Sequence, residues 1–325
     1  MKKRRNKVRY GKYGYLFVAP FFLTYAFFQL WPLINTLFYS MLNYYKRNGR
    51  EFSEFCGLQN FQNILGLVSG EKAYVLHYFK NTFIIWGMNF IPQILVSLLL
   101  AAWLTDNKVR LRGRGAVKVI TYLPSVITAA SISVLFHALF SQYGPITMTL
   151  KNLGIIGSSF NFLESSAGTR GLISFILFWM WYGNTTLLLI SGVLGISPDL
   201  YEAADIDGAN GRAKFFRITL PLLKPIMLYV LITSAIGGLQ MYDIPALFNV
   251  SNTGYVGFPN DNSTTVAMYI MRLYNSDVGK AAAVSVLLFI VTLIISLIFF
   301  KFGTSNEEKA EARRRKKRLA EGGGC

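Results

Sequence analysis

Four of the 16 acidic residues of this chain, Asp199, Glu202, Asp205 and Asp207, fall in one short run. It reads Tyr201-Glu-Ala-Ala-Asp-Ile-Asp-Gly-Ala-Asn-Gly-Arg-Ala-Lys-Phe-Phe-Arg-Ile-Thr-Leu-Pro221, then Leu-Leu-Lys-Pro225. Clustered carboxylates are what acid–base chemistry would use. They are equally what a basic protein surface would pair with. An ordinary interfacial loop is the other reading, and composition alone leaves a basic partner and such a loop both open.

Other chemistry is scarce. The phosphate-cradling pattern G-x-x-x-x-G-K-[ST] is absent, and its nearest fragment, Gly66-Leu-Val-Ser-Gly-Glu-Lys72, has the wrong spacing. The chain is therefore expected to hold no ATPase site of its own. No His/Cys/Asp/Glu grouping has metal-ligand spacing, so no metal site and no catalytic residue is assigned. His137 reads as a packed, hydrogen-bonded histidine. Two cysteines, Cys56 and Cys325, exclude a disulfide scaffold in a chain of 325 residues.

The elements that must position the acidic run follow from composition. Hydrophobic residues make up 53% of the chain and charged ones 15%, yet the formal net charge is +17. Soluble domains carry roughly 25% charged residues. A nucleic-acid binder would explain the charge but not the apolar bulk. A membrane span needs about 20 mostly apolar residues, and six uncharged intervals approach or exceed that length: Tyr13–Tyr45, Asn81–Thr105, Val119–Leu150, Gly171–Pro198, Pro225–Tyr242 and Ala281–Phe300. The fifth has only 18 residues, so its ends must reach into flanking sequence. Gln142, Tyr143, Gly144 and Pro145 end the third pattern after Phe140. Backbone in hydrocarbon has no partner outside its own segment, so these are expected to be helices. Phe55–Gly70 and Ile244–Asn260, rich in Asn, Gln, Gly or Pro, read as loop or interfacial structure. The basic start resembles a signal-peptide n-region, but the apolar segment after it is too long for an h-region, so a retained first helix is expected.

The charges then sort by side. With the N-terminus inside, the inner segments are 1–12, about 106–118, about 199–224 and 301–325, holding 7, 5, 4 and 8 Lys+Arg. The inner face carries +15 of the +17, as the positive-inside rule requires, so both termini are expected in the cytoplasm. Cys56 and Cys325 fall on opposite sides and are not expected to pair. The basic tail Arg313–Arg318 reads as the same anchoring signal, with no nucleic acid implied. The acidic run is the exception to the trend. Pro198 and Asp199 supply a helix start, with Asp199 close to the N-cap. Leu200, Ala203 and Ala204 make a short apolar face. Gly208 permits a sharp turn, and Phe215, Phe216 and Ile218 form a second patch before Pro221 and Pro225.

Glu202-Ala203-Ala204, Asp207-Gly208-Ala209, Phe215, Ile218, Leu220-Pro221 and Pro225 together resemble the EAA loop of ABC importer permeases. From about Tyr74 to Phe302 the chain is similar to the permease core of carbohydrate importers of the maltose and multiple-sugar type, with an additional first helix. Thr264, Tyr269 and the Gly279-Lys-Ala-Ala-Ala run fit that pattern, whereas Asn252-Thr-Gly-Tyr-Val-Gly-Phe-Pro259 departs from the Gly-Gly-Pro run common in the family. The resemblance implies an all-α integral membrane protein with a MetI-like core of six transmembrane helices. Residues 1–12 would be a basic cytoplasmic N-terminus, 13–45 the first helix, 74–302 the core with its coupling loop at 199–221, and 303–325 a basic tail. Glu202, Ala203, Ala204, Asp207 and Gly208 would dock on an ATPase subunit.

The implied partners are a second, homologous permease, two cytoplasmic ATPases that bind the ATP and Mg, an extracellular solute-binding protein and membrane lipid. The implied place is the plasma membrane of a prokaryote. Polar side chains within the spans would line the path: Asn89 and Gln93 on the second helix, Trp179, Trp181, Tyr182 and Asn184 on the fourth, and Gln240, Tyr242 and Asp243 closing the fifth. Amides, hydroxyls and aromatic faces suit a sugar, and the scarcity of charge argues against ionic cargo. Glycerol phosphate or a peptide carried by the same machinery, and a membrane enzyme of envelope sugar metabolism, remain the alternatives.

Overall fold

The structure is a computed structural model that describes residues 11–47, 50–68, 72–105, 113–248, 257 and 259–321. Its helices are α1 (Gly11–Tyr25), α2 (Trp31–Tyr39), α3 (Gln59–Ile64), α4 (Tyr74–Thr105), α5 (Arg114–Tyr122), α6 (Ala129–Phe140), α7 (Pro145–Asn152), α8 (Ser166–Leu194), α9 (Pro198–Ile206), α10 (Gly211–Lys214), α11 (Leu220–Leu222), α12 (Lys224–Leu239), α13 (Asp243–Phe248), α14 (Val266–Tyr274) and α15 (Val278–Glu321). Two strands, β1 (Leu42–Arg47) and β2 (Arg50–Phe55), pair antiparallel. The chain divides into two compact units: residues 1–73 with 273–286, and residues 74–272 with 287–325.

Among the described residues, four helical stretches are long and apolar enough to cross a membrane: Gly14–Tyr39, Tyr74–Thr105, Ser166–Leu194 and Val278–Lys301. Two more candidates are bent. Arg114–Val126 meets Ala129–Asn152 at 89°, and Gly211–Leu222 meets Lys224–Leu239 at 65°, which brings the number to six if each pair is one span. The first bend follows Pro124, where Thr128 turns extended (ψ 144°) and its hydroxyl accepts from Ser131 N to cap α6. The second stands at Pro225, which lacks the N–H an unbroken helix would use. That bend resolves the short fifth interval, because its missing length lies in the stretch before Lys224.

The first unit departs from the uncharged interval that marks it. The helix ends at Tyr39 rather than Tyr45, and the chain then enters the hairpin. Tyr45 stacks on Phe52 across the strands, with ring centroids 5.3 Å apart. Asn60 donates to the carbonyls of Ser40 (3.0 Å) and Leu42 (2.8 Å), closing the helix end. Counting charges cannot register this, because aromatic strand residues are as uncharged as a span. A π turn, Ala26–Leu30, separates α1 from α2 just before Pro32, where the ladder lacks a donor. Residues 1–10 and most of 249–258, including the departure from the Gly-Gly-Pro pattern, lie outside the described residues. α15 continues from the last span into the tail as far as Glu321.

In the second unit α4 and α8 form the central pair. Ser174 Oγ donates to Ile85 O (3.2 Å) and Ser97 Oγ to Tyr182 O (2.8 Å), so small polar side chains join the helices. Ile85, Ile173, Ile176 and Phe248 anchor an apolar cluster at one end, and Ala101, Leu104, Leu189 and Ile190 another. Gly183 lets α8 lie directly on the end of α5: a Cβ there would collide with the Thr121 carbonyl.

Two arginines near helix ends, Arg170 and Arg272, have their charges satisfied. Arg170 begins the fourth span, and it donates to Asn81 Oδ1 and to Asn262 O, both at 2.6 Å. Arg272 donates to Tyr78 Oη, pairs with Asp261 and lies 5.1 Å over the Tyr269 ring. Burial opposes the Arg272 charge, but Tyr78 and Asp261 more than offset it and raise its pKa. Asn81 donates to Asp261 O and Thr264 O, so the segment 261–264 is held between α4 and α8.

Gly183→Ala should destabilise the protein by about 1–3 kcal/mol, because the added methyl meets backbone that cannot yield. Gly87→Ala on α4, where a Cβ meets nothing within 4 Å, should be neutral or slightly stabilising. Melting temperatures of the purified, detergent-solubilised variants decide this, and equal values for the two would contradict the close approach.

Candidate functional site

The acidic run folds as a helix, a glycine turn and a second helix. Pro198 opens α9. Ser197, not Asp199, occupies the N-cap position, and Asp199 stands in the first turn, where its charge complements the helix dipole. At the other end Gly208 N donates to Asp205 O (3.1 Å) and Ala209 N to Ala204 O (2.8 Å). That is a Schellman closure, and it needs Gly208 at its φ of +72°. Asn210 Oδ1 then accepts from Ala213 N (2.8 Å) and starts α10. The second helix is irregular, since α10 runs into a π segment, Phe215–Thr219, before α11.

Two contacts hold α9 to this second half. Lys214 Nζ pairs with Asp205 Oδ2 at 2.5 Å, and Tyr201 Oη meets Thr219 Oγ1 at 2.9 Å. They divide the carboxylates. Asp205 is engaged, whereas Glu202 and Asp207 are exposed with no ion pair among the described residues. Ala203 and Gly208 are exposed as well, and Ala204 is half-buried. No residue of α9 is buried. Ile206 is 88% exposed, an apolar side chain standing in solvent next to Asp207 and one helical turn from Glu202. Sequence reasoning passed over Ile206; its position four residues after Glu202, on the same helical face, was the available signal.

A second feature lies between α4, α8 and α12: a cavity of about 270 Å³. It gathers four of the residues expected on the path, Asn89 and Gln93 from α4 and Trp181 and Asn184 from α8. Gln93 Nε2 donates to Thr185 Oγ1 (2.7 Å) across the two helices. The wall from α12 carries Tyr229, Thr233 and Ser234, which sequence reasoning missed, as it missed Trp86 and Thr185. The signal was periodicity. Trp86, Asn89 and Gln93 stand at i, i+3 and i+7, and Tyr229, Thr233 and Gly237 at i, i+4 and i+8, each on one helical face. No lining residue is charged.

The other candidates lie elsewhere. Tyr182 follows Trp181 by one residue and so faces another way, stacking on Phe178 with centroids 5.5 Å apart. Trp179 packs against Phe136. Gln240 is the exposed C-cap of α12, and Tyr242 and Asp243 lead into α13. His137 packs edge-on against Phe248, with centroids 5.8 Å apart.

Residues 88–303 match the family model described as binding-protein-dependent transport system inner membrane component. The lactose transport system permease protein LacF of Rhizobium radiobacter is 31% identical over 303 residues, spanning 92% of this chain and 96% of the relative. The arabinooligosaccharides transport system permease protein AraP of Bacillus subtilis (strain 168) is 30% identical, covering 90% and 88%. The sn-glycerol-3-phosphate transport system permease protein UgpA of Yersinia pestis bv. Antiqua (strain Antiqua) is also 30% identical, covering 89% and 92%. Among solved structures, a chain of a bacterial ABC transporter involved in the import of the acidic polysaccharide alginate superposes with a TM-score of 0.73 at 22% identity, covering 90% of this chain and 94% of that one.

The Gln93–Thr185 bond makes a local prediction. In a double-mutant cycle of Gln93→Leu and Thr185→Val, thermal denaturation of the purified protein should give a coupling of about 1 kcal/mol. Strict additivity would mean the two side chains do not meet.

Proposed function

The chain belongs to the binding-protein-dependent transport system inner membrane components, and from that premise we propose that it is the membrane-spanning permease subunit of an ATP-driven sugar importer. The observation that carries the cargo is the uncharged cavity. Amides, hydroxyls and two tryptophans offer what a neutral oligosaccharide can use, hydrogen-bond partners for hydroxyls and flat apolar faces for pyranose rings. The named relatives for lactose and arabinooligosaccharides support it. The glycerol-phosphate relatives favour a second reading, but a phosphate ester in this cavity would meet no Lys or Arg to balance its charge.

In this reading the chain does no covalent chemistry. Two cytoplasmic ATPase subunits bind ATP and Mg, and closure of their dimer drives the cycle. α9 and the turn that closes it, carrying Glu202, Ala203, Ala204, Asp207 and Gly208, dock on one of them. The exposed carboxylates and Ile206 supply the charge and the apolar contact such a joint needs. The Asp205–Lys214 and Tyr201–Thr219 contacts carry motion of α9 into the segment that bends into α12, and α12 is a wall of the cavity. A second, homologous permease completes the path, and a solute-binding protein delivers cargo outside. Both termini lie in the cytoplasm, on the evidence of the +15 inner charge, in the plasma membrane of a prokaryote. Of the four divisions, 13–45 contains the added helix, which ends at Tyr39, and 74–302 is the conducting core.

Glu202→Lys should abolish uptake while membrane insertion stays intact, because it reverses a charge at the joint. Gly208→Leu should do the same by placing a branched side chain at a φ of +72°, at a local cost of about 1–2 kcal/mol. Wild-type uptake in both would falsify the docking role. For the cargo, the cognate binding protein should gain thermal stability with oligosaccharides. Stabilisation by phosphate esters or peptides alone would sink the sugar reading.

A further inference from the structure

Trp86 lines the cavity at a point where it is crowded against α12. Its indole N–H donates to Ser234 Oγ (3.1 Å) on α12, and its ring stacks on Phe90, with centroids 5.7 Å apart and planes 18° from parallel. Its seat is Gly238. A Cβ built there would overlap Trp86 Cδ1 and lie 2.6 Å from Nε1 and 2.7 Å from Cγ. The indole therefore occupies the volume that any other residue at 238 would claim. Neighbouring Gly237, where a Cβ meets nothing within 4 Å, leaves the adjoining wall open.

The position along the path matters as much. Trp86, Asn89 and Gln93 lie on one face of α4, and seven residues of helix separate Trp86 from Gln93 by about 10 Å. Ser234, Gly238 and Met241 meet the Trp86 end of the cavity from α12 and the residues just after it. In the orientation proposed above, that end faces outside.

We propose that the Trp86 indole, docked on Gly238, is the size-selecting rim of the outer end of the cavity, so that the width available to cargo is fixed by a glycine rather than by a polar contact. The inference rests on the sugar-importer reading for its purpose, but its geometry can be tested without any sugar. A larger residue at 238 evicts the indole from its seat, and the displaced ring has the cavity to turn into. Trp86 is thus a specificity residue, whereas Gly238 is a positioning residue that acts through it.

The test measures the bore with graded thiol reagents. In the full chain, assembled with its partner subunits and with Cys56 and Cys325 replaced by Ser, Gln93→Cys places a thiol beyond the rim. Both a small reagent, N-ethylmaleimide, and a bulky one, a pyrenyl maleimide, should label it from the outer side. Gly238→Ala should slow the bulky reagent by about tenfold or more and the small one by less than about twofold, as expected when a pocket changes by one methyl. Trp86→Ala alone, which adds no atoms, should speed the bulky reagent, and combined with Gly238→Ala it should restore access. The rim is contradicted if Gly238→Ala slows both reagents equally or neither, if Trp86→Ala leaves the bulky reagent unchanged, or if neither reagent reaches position 93 in the parent. A failed sugar assay with this labelling pattern intact would overturn the cargo and leave the rim standing.

Discussion

A polar group carried into hydrocarbon must find its partner on the protein, and the helical core of this chain is arranged around that requirement. Gln93 reaches Thr185, Ser97 reaches the Tyr182 carbonyl, and Ser174 reaches that of Ile85, all between α4 and α8. These bonds join two long helices without burying a charge between them. At Arg170, near the start of α8, two short bonds to Asn262 and Asn81 offset part of the cost of burying its charge. The residue types that hold the helices together, amides and hydroxyls, are also those lining the cavity beside them, so packing and recognition draw on one chemistry.

The two functional features are separated along the chain and linked by its covalent path. The face of α9 is solvent-exposed and acidic, whereas the cavity lies between helices and is lined by uncharged residues. The connection runs through a glycine-closed turn, an irregular π segment and a 65° bend into α12. Bends and π turns are where a helix stores the ability to change direction. In the proposed reading, both lie between the docking face and a cavity wall, so that a push on one reorients the other while α4 and α8 stay paired.

Much of this was legible in the residues. Uncharged intervals mark the spans because charge is excluded from hydrocarbon, and Gly208 announces its turn because a side chain there would be strained. Periodicity, not residue type, decides which polar residues face the cavity. Asn89, Gln93, Trp181 and Asn184 line it, whereas Tyr182, of equally suitable chemistry, is rotated away by one residue. Asp205 looks identical to Glu202 in the run, yet it is consumed by Lys214, a partner that only the fold brings within reach. The β1–β2 hairpin was hidden because its tyrosines and phenylalanines suit a strand and a span alike. The rim at Trp86 required knowing what lies over Gly238, which is a tertiary contact across 152 positions of sequence.

The central claim is that the exposed face of α9 is the joint to the ATPase. The direct measurement is site-specific photo-crosslinking from position 206, carried out on the assembled transporter in membranes. Ile206 is 88% exposed, so a photoreactive side chain there disturbs no packing. The account predicts an adduct with the ATPase subunit, absent when the ATPases are not expressed. Adducts with lipid alone, or with the partner permease and never the ATPase, would contradict it.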